Sequence, residues 1–213
     1  MAVDRKHNAI YITDTAADTT SALLVLDINT GLVRRVLEGS FATIPEDKPL
    51  VIDGKTVNMQ GKEARVGVNP ITIDVENKWV YFAPMSSRSI YRVRTADLLN
   101  TDLSAKALEK QVERYAAKNM GDGITIDKEG NLYVSDLENN AIGVITTDRK
   151  YSVLHQDNNI LSWVEGFANA GPEGIYATSN KLHRSPAFNN ESPTPNKFYI
   201  LQFTPKAFAS FGR

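Results

Sequence analysis

Three oxygen-bearing side chains occupy the same position in a pattern that recurs along the sequence, two residues before a short apolar segment. They are Asn69, Asp122 and Glu165. If the apolar segments lie side by side, these oxygens converge into the kind of ligand set that a hard cation such as calcium requires. A calcium ion held there could polarise a lactone carbonyl and stabilise the oxyanion formed when water attacks. The pattern therefore predicts a shared ligand or metal site, with Asp122 as the candidate catalytic residue.

The same residues also have a purely structural interpretation. Asn-Pro at 69–70 and Asp-Gly at 122–123 are common turn dipeptides. The residues alone thus leave open a calcium site, a metal-free ligand channel and simple turns. Asn180 follows a strand-like segment and is a further candidate ligand contact. His183 lies among basic residues and is more typical of a solvated loop than of a catalytic base.

The composition excludes several classes of protein. The 213 residues include 24 Lys and Arg and 25 Asp and Glu, so the net charge is -1 and neither a nucleic acid nor an anionic membrane is an expected partner. Cysteine is absent, which excludes disulfides, thiolate zinc sites and a Cys nucleophile. The sequence contains no serine-hydrolase, zincin or nucleotide-binding fingerprint. It also shows no membrane-length apolar run, and no signal peptide is expected in this chain.

The segments that would position the candidate site form a fourfold repeat. Each repeat reads as a short apolar strand, a polar turn, a second strand with a tyrosine and then a third strand. The tyrosines are at positions 11, 81, 133 and 176. A period of about 40–50 residues with three or four strands is typical of β-propeller blades. We therefore predict an all-β propeller in which Tyr81 and Tyr133 pack between blades, while Asp4, Asp74 and Asp127 form hairpin turns.

Two insertions interrupt the repeat. Residues 40–65 are predicted to be a loop with a hairpin around Asp53-Gly54. Residues 95–118 switch to helical spacing, with Leu108, Val112 and Tyr115 on one face and Ser104 as the N-cap. Residues 185–196 contain three prolines and are predicted to be a loop, in which 190–192 form a glycosylation sequon.

Four blades leave the expected domain, residues 1–213, incomplete. An open arc of sheets exposes two apolar flanks, which propellers avoid by closing the ring. The most direct interpretation is that the sequence is part of a larger propeller. A four-bladed ring, or closure by a second chain in an oligomer, is the alternative.

The motifs resemble those of the major royal jelly protein/Yellow family over nearly the whole sequence. The matching stretches are Gly-Val-Asn-Pro-Ile at 67–71, Tyr-Phe-Ala-Pro-Met-Ser-Ser at 81–87, Gly-Asp-Gly-Ile at 121–124, Asn-Leu-Tyr at 131–133, Asn-Asn-Ala-Ile at 139–142, Trp-Val-Glu-Gly-Phe at 163–167 and Thr-Ser-Asn-Lys-Leu-His-Arg at 178–184. This resemblance implies a six-bladed propeller, of which the chain would form the C-terminal two-thirds. It also implies a secreted or periplasmic protein.

The resemblance implies less about activity than about fold. Some Yellow-type relatives bind small amines in the central channel, and others are linked to dopachrome conversion. The propeller is also similar to that of the senescence-marker-protein/gluconolactonase family, whose members are calcium-dependent lactone hydrolases. In those relatives an Asn and an Asp ligate the metal at positions that Asn69 and Asp122 match, whereas Glu165 matches less securely. We therefore expect small-ligand binding involving Asn69, Asp122, Glu165 and Asn180, with a calcium-dependent lactonase as the alternative.

Overall fold

The apolar segments form strands because their β-branched and aromatic side chains pack well on a pleated, half-buried surface. In a computed structural model, which describes residues 1–16, 18–189 and 197–211, these strands build four antiparallel sheets in chain order. We call the sheets blades 1 to 4. The first strands of neighbouring blades contact one another and so line a common axis. This is the predicted arrangement of an all-β propeller with few helices.

The secondary-structure elements have the following bounds. Blade 1 contains β1 (Ala2–Asp4), β2 (Ala9–Asp14), β3 (Ala22–Asp27) and β4 (Val33–Val36). Two short hairpins follow, formed by β5 (Val51–Ile52) with β6 (Lys55–Thr56) and by β7 (Asn58–Met59) with β8 (Lys62–Glu63). Blade 2 contains β9 (Val68–Ile73), β10 (Trp79–Pro84), β11 (Ser89–Arg94) and β12 (Glu113–Ala117), with α1 (Thr95–Leu99) and α2 (Ala105–Glu109) between the last two strands.

The remaining elements complete the arc. Blade 3 contains β13 (Ile124–Ile126), β14 (Leu132–Asp136), β15 (Ala141–Ile145) and β16 (Tyr151–Gln156). Blade 4 contains β17 (Trp163–Asn169), β18 (Ile175–Asn180) and β19 (Tyr199–Phe203), with α3 (Pro186–Asn189) between the last two strands. Single 3₁₀ turns lie at Gly171–Glu173 and Leu182–Arg184. Helix α3 lies in the stretch predicted to be a loop, and the sequon at 190–192 falls outside the described residues.

The hydrophobic core lies between the blades. Separate apolar clusters join blades 1 and 2, blades 2 and 3, and blades 3 and 4. Tyr81 belongs to the cluster between blades 2 and 3, and Tyr133 is fully buried between blades 3 and 4. The prediction that both tyrosines pack between blades is confirmed.

The aspartates of the inner hairpins form turns, as predicted. Asp4 accepts hydrogen bonds from the backbone of residues 6 and 7 and from the hydroxyl of Tyr11, at 2.9 Å in the last case. Asp127 is bonded in the same way to its own turn and to the hydroxyl of Tyr133 at 2.8 Å. Each buried carboxylate therefore ties a turn to the tyrosine of the next strand.

The segment 95–118 is helical in its first part and extended in its last. Helix α2 begins after Ser104, whose hydroxyl accepts the N–H of Ala107 at 3.3 Å, so the predicted N-cap is confirmed. The prediction that the helix continues through Tyr115 is wrong, because that residue lies in β12. The ring of Tyr115 packs edge-on against Tyr81 at 5.1 Å in the core between blades 2 and 3, and this burial outweighs the local helical spacing.

Residues 40–65 form a structure that we call the cap. The predicted hairpin is present as β5 and β6, and its turn residues Asp53 and Gly54 both have positive φ, as a tight hairpin requires. Side chains of the cap, among them Leu50 and Ile52, form one buried cluster with Trp163 and with residues of blades 2 and 3. The cap therefore covers the end of the blades from which the candidate site residues come.

In the described part of the chain, blade 4 has three strands and ends at β19, whereas each of the other blades has four. Phe198 and Ile200 at this edge are each 79% exposed. The chain then turns back beneath blade 3, where Ala209 pairs with Asp127 and the carbonyl of Phe208 accepts the N–H of Lys128 at 2.9 Å. None of the helices among the described residues combines the length and the apolar character needed to cross a membrane.

Candidate functional site

The structure brings the three aligned polar residues together at the capped end of the channel. Asn69 lies on β9, Asp122 lies two residues before β13 and Glu165 lies on β17. The amide nitrogen of Asn69 donates a hydrogen bond to Oδ1 of Asp122. The charge of Glu165 also acts on Asp122. The predicted convergence is present, while the binding and catalytic roles of these residues stay predictions.

Glycine allows the close approach of blades 3 and 4 at this point. The backbone N–H groups of Asp122 and Gly123 both donate to the hydroxyl of Ser135, at 2.7 and 2.8 Å, and fix the loop before β13. A Cβ atom on Gly123 would overlap the backbone carbonyl of Glu165. Residue 123 must therefore be glycine for Asp122 and Glu165 to lie in neighbouring blades at this separation.

Trp163 is a member of the site that the sequence analysis did not include. Its indole Nε1 donates to Oδ2 of Asp122 at 2.8 Å, and its ring stacks on His183 with an interplanar angle of 6°. His183 is buried at 4% exposure, so the expectation of a solvated loop histidine is wrong. Burial lowers the pKa of His183. Both residues lie in the two most distinctive motifs of the sequence, which is the signal that could have identified them.

Burial controls the protonation of the site. Loss of solvent raises the pKa of Asp122 to about 6, the hydrogen bond from Trp163 opposes that rise, and the negative charge of Glu165 adds to it. The nearby Lys118 is also buried, and burial lowers the pKa of its ammonium group to about 7. That ammonium group donates to the backbone carbonyl of Ser87 at 2.7 Å. The site therefore changes charge close to neutral pH.

Glu165 is exposed and lies at a bulge in its strand. The pairing of β17 with β18 shifts register between Val164 and Phe167, which releases the intervening residues from the regular ladder. The Oε2 atom of Glu165 lies 3.5 Å from Nδ2 of Asn180. The structure thus places Asn180 next to Glu165.

The carboxylate of Asp53 connects the cap to blades 3 and 4 by hydrogen bonds. Asp53, in the turn between β5 and β6, accepts hydrogen bonds from Asn140 at 3.0 Å and from Arg184 at 2.9 Å. Its carboxylate is also 3.4 Å from Nε2 of His183. Although burial acts in the opposite direction, these hydrogen bonds lower the pKa of Asp53. The turn therefore carries its negative charge at neutral pH and links blade 3 to blade 4.

The donor set of the site is a poor match for calcium as it is arranged. Both carboxylate oxygens of Asp122 accept hydrogen bonds from protein donors, and Asn69 presents its amide nitrogen rather than its oxygen. Within residues 1–16, 18–189 and 197–211, no three His, Cys, Asp or Glu side chains are grouped so that they could hold a metal ion. Calcium needs six to eight oxygen ligands, so a metal role for Asn69, Asp122 and Glu165 stays a prediction.

The fold and site define the class of protein as a β-propeller with a polar, acidic site at one end of its axis. The chain belongs to the major royal jelly protein family, whose model matches residues 1–203. A curated relative, major royal jelly protein 2 of Apis mellifera, is 22% identical over 142 residues, which are 67% of this chain and 30% of the relative.

A solved structure supports the same fold. A luciferin-regenerating enzyme aligns with a TM-score of 0.55 at 17% identity, over 91% of this chain and 54% of that one. A calcium-binding protein, regucalcin, from Agrobacterium tumefaciens aligns with a TM-score of 0.40 at 15% identity, over 81% of this chain and 66% of that one. The chain spans about a third of the length of the curated relative and about half of that of the luciferin-regenerating enzyme.

Proposed function

We propose that this protein binds a small organic cation of the primary-amine class at the capped end of its channel. The observation that carries the proposal is the pairing of a buried and an exposed carboxylate, Asp122 and Glu165, on neighbouring blades. Among the described residues, neither carboxylate has a salt-bridge partner within 4.0 Å. Negative charge without an ion-pair partner attracts a cation and stabilises it once bound.

The surrounding groups suit the rest of such a ligand. An ammonium group has three N–H donors, which the carboxylates of Asp122 and Glu165 and the amide oxygen of Asn180 can accept. The half-buried ring of Phe167 lies next to Gly123 and offers an apolar surface for the body of the ligand. A short ammonium compound with an aromatic body therefore fits the chemistry of the site better than a neutral or anionic one.

Calorimetric titration with tyramine tests this proposal, because the neutral alcohol 4-hydroxyphenethyl alcohol has the same ring without the charge. We expect saturable binding of tyramine, at least tenfold weaker binding of the alcohol, and loss of tyramine binding in Asp122→Asn and Glu165→Gln. Asp102→Asn removes an equal charge from an exposed loop and is the matched control. Equal binding of both compounds, or binding that survives both site variants, would refute the proposal.

A calcium-dependent lactonase is the second candidate, and the convergence of Asn69, Asp122 and Glu165 supports it. In this case the carboxylate of Asp122 would have to exchange its hydrogen bonds for the metal. The reaction would be hydrolysis of a lactone by water, with the metal polarising the carbonyl. We expect hydrolysis to be lost with a chelator and with Asp122→Ala. Hydrolysis that survives both treatments would exclude this mechanism.

Family membership is the support for one further proposal, that the natural protein is exported from the cell. Detection of the protein in the medium of cells that express the natural gene tests it. Retention of all detectable protein inside the cells would contradict it.

A further inference from the structure

A cavity lies at the opposite end of the channel axis from the cap. It has a volume of about 370 Å³. The turn that follows the first strand of every blade contributes to its wall, and the contributing residues are Arg5, Val75, Lys128 and Gly171. Lys128 is six positions after Asp122, with β13 between them, and six residues of extended chain span about 20 Å. The cavity is therefore distinct from the amine site, although the same inner strands connect the two.

The C-terminal segment completes this cavity. Residues 208–211 line one side, and backbone pairing of Ala209 with Asp127 holds the segment in place. The ring of Phe211 packs on Gly171, where a Cβ atom would be 2.7 Å from a ring carbon. Gly171 also has a φ of +61°, a conformation that glycine adopts without strain. The aromatic wall is thus part of the folded structure and is fitted to the turn of blade 4.

The lining has the opposite charge to the amine site. Its ionisable side chains are Arg5 and Lys128, both exposed to solvent. In the part of the chain that the structure describes, neither has a carboxylate within 4.0 Å. The rings of Phe208 and Phe211 remain 67% and 65% exposed beside these cations. Glu129 and Glu173 belong to an adjoining hollow, which Lys206 also lines.

We propose that this cavity binds a small organic anion, an aromatic carboxylate, independently of the amine site. The guanidinium of Arg5 provides parallel N–H donors that match the two oxygens of a carboxylate, and Lys128 adds a second positive charge. Phe208 and Phe211 provide the apolar surface that an aromatic body needs in order to leave water. A volume of about 370 Å³ is within the usual range of small-molecule sites.

The test uses three probes that share one ring and differ in charge: 4-hydroxyphenylacetate, 4-hydroxyphenethyl alcohol and tyramine. By calorimetry, we expect the carboxylate to bind saturably and to weaken with salt, as an exposed ion pair does. Arg5→Gln and Lys128→Gln should each lower the affinity for the carboxylate by about tenfold, the effect of losing a charge-assisted hydrogen bond. Lys62→Gln, on the exposed β8 of the cap, is the charge control and should leave binding unchanged.

The aromatic wall has its own matched pair. Phe211→Ala and Phe208→Ala truncate exposed rings of the cavity and should lower the affinity for the carboxylate probe by several-fold. Phe198→Ala truncates an exposed ring at the edge of blade 4 and should leave that affinity unchanged. The proposal is overturned if the carboxylate does not bind, if the alcohol binds equally well, or if all these variants behave as the wild type.

The amine site is tested separately in the same samples. Tyramine binding should be unaffected by Arg5→Gln, and carboxylate binding should be unaffected by Asp122→Asn. Loss of tyramine binding alone would refute the proposed function and leave the anion site standing. Competition between the two probes for one site would overturn the claim of independence.

Discussion

Trp163 of blade 4 donates its indole N–H to the carboxylate of Asp122, which precedes blade 3, over a distance of 2.8 Å. The contact crosses the boundary between two blades and leaves both residues almost completely buried. It stabilises the ionised form of a carboxylate that burial would otherwise make neutral. The charge of the candidate site therefore depends on how blade 4 is docked against blade 3.

Replacing Trp163 with Phe removes this donor and keeps an aromatic ring. We expect the pKa of Asp122 to rise further above about 6, since the hydrogen bond that opposes the effect of burial is lost. Carboxyl-carbon NMR titration measures the change directly. Trp79→Phe alters the other of the two tryptophans and is the control. An unchanged pKa in Trp163→Phe would show that the hydrogen bond does not set the protonation of Asp122.

Tyramine affinity should rise with pH between about 5 and 8. Asp122 has its pKa raised to about 6, so it is neutral at the lower end of this range and attracts a cation only above it. Lys118 has its pKa lowered to about 7, and its deprotonation removes a nearby positive charge in the same range. Below pH 6, we expect the tyramine affinity to fall by about tenfold per pH unit, which is the limit for one obligatory ionisation.

Asp122→Asn provides the control for the pH series. If residual tyramine binding is measurable in this variant, its pH dependence should keep only the Lys118 component, near pH 7. A wild-type profile that is flat from pH 5 to 8 would contradict the prediction.

Tyr133→Ala should reduce the free energy of unfolding by about 3–5 kcal/mol, the usual cost of deleting a large aromatic side chain from a core. Tyr133→Phe keeps the ring but removes the hydrogen bond to Asp127, and should cost about 1.5–3 kcal/mol because the acceptor is charged. Tyr176 occupies the corresponding position of blade 4 and is half-buried, so Tyr176→Ala should cost less. Urea titration gives all three values, and a cost below about 1 kcal/mol for Tyr133→Ala would mean that its ring does not pack in the core.

Gly123→Ala should destabilise the protein by about 1–3 kcal/mol, because the added Cβ overlaps the backbone of Glu165 and forces blades 3 and 4 apart. Gly166→Ala is the matched control on the same channel wall. There the new Cβ meets the hydroxyl of Thr178 at 3.0 Å, which is the end of a side chain that can rotate. Equal losses in a thermal or urea titration would show that the separation of the blades is not fixed at Gly123.

Asp53→Ala should loosen the cap without unfolding the blades. The substitution removes the acceptor shared by Asn140 and Arg184, so amide hydrogen exchange should accelerate across residues 50–64. Asp47→Ala is the control within the cap, because Asp47 is exposed and pairs with Arg65 of the same insertion. Unchanged exchange in Asp53→Ala would show that the buried apolar cluster alone holds the cap in place.

The sequence predicts most of the architecture because the repeat is carried by local signals. Strand alternation, turn dipeptides such as Asp53-Gly54 and the recurring tyrosines are each readable within a few residues. The convergence of Asn69 with Asp122 follows from the same repeat, since equivalent positions of neighbouring blades lie side by side. Aligning the four repeats is therefore sufficient to predict it.

What the sequence did not reveal depends on contacts between distant segments. Tyr115 has helical spacing, and its strand conformation comes from packing against Tyr81. His183 lies among charged neighbours in the sequence, and its burial comes from stacking on Trp163 and from the cap. The direction of the Asn69 amide, which bears on whether a cation could bind, is also set only by the folded environment.

The position of the cap in the sequence has a consequence for the order of events during synthesis. Asp53 and Arg184 are separated by 131 residues, so the ribosome must add blades 2 and 3 and most of blade 4 before the cap has both of its partners. Closing so long a loop is slow compared with forming a hairpin. The apolar side of the insertion can pack on blades 2 and 3 before then, but it lacks Trp163 until blade 4 has been made. Ribosome-bound chains that end before blade 4 should be cleaved by protease within residues 40–65, whereas chains that include blade 4 should resist.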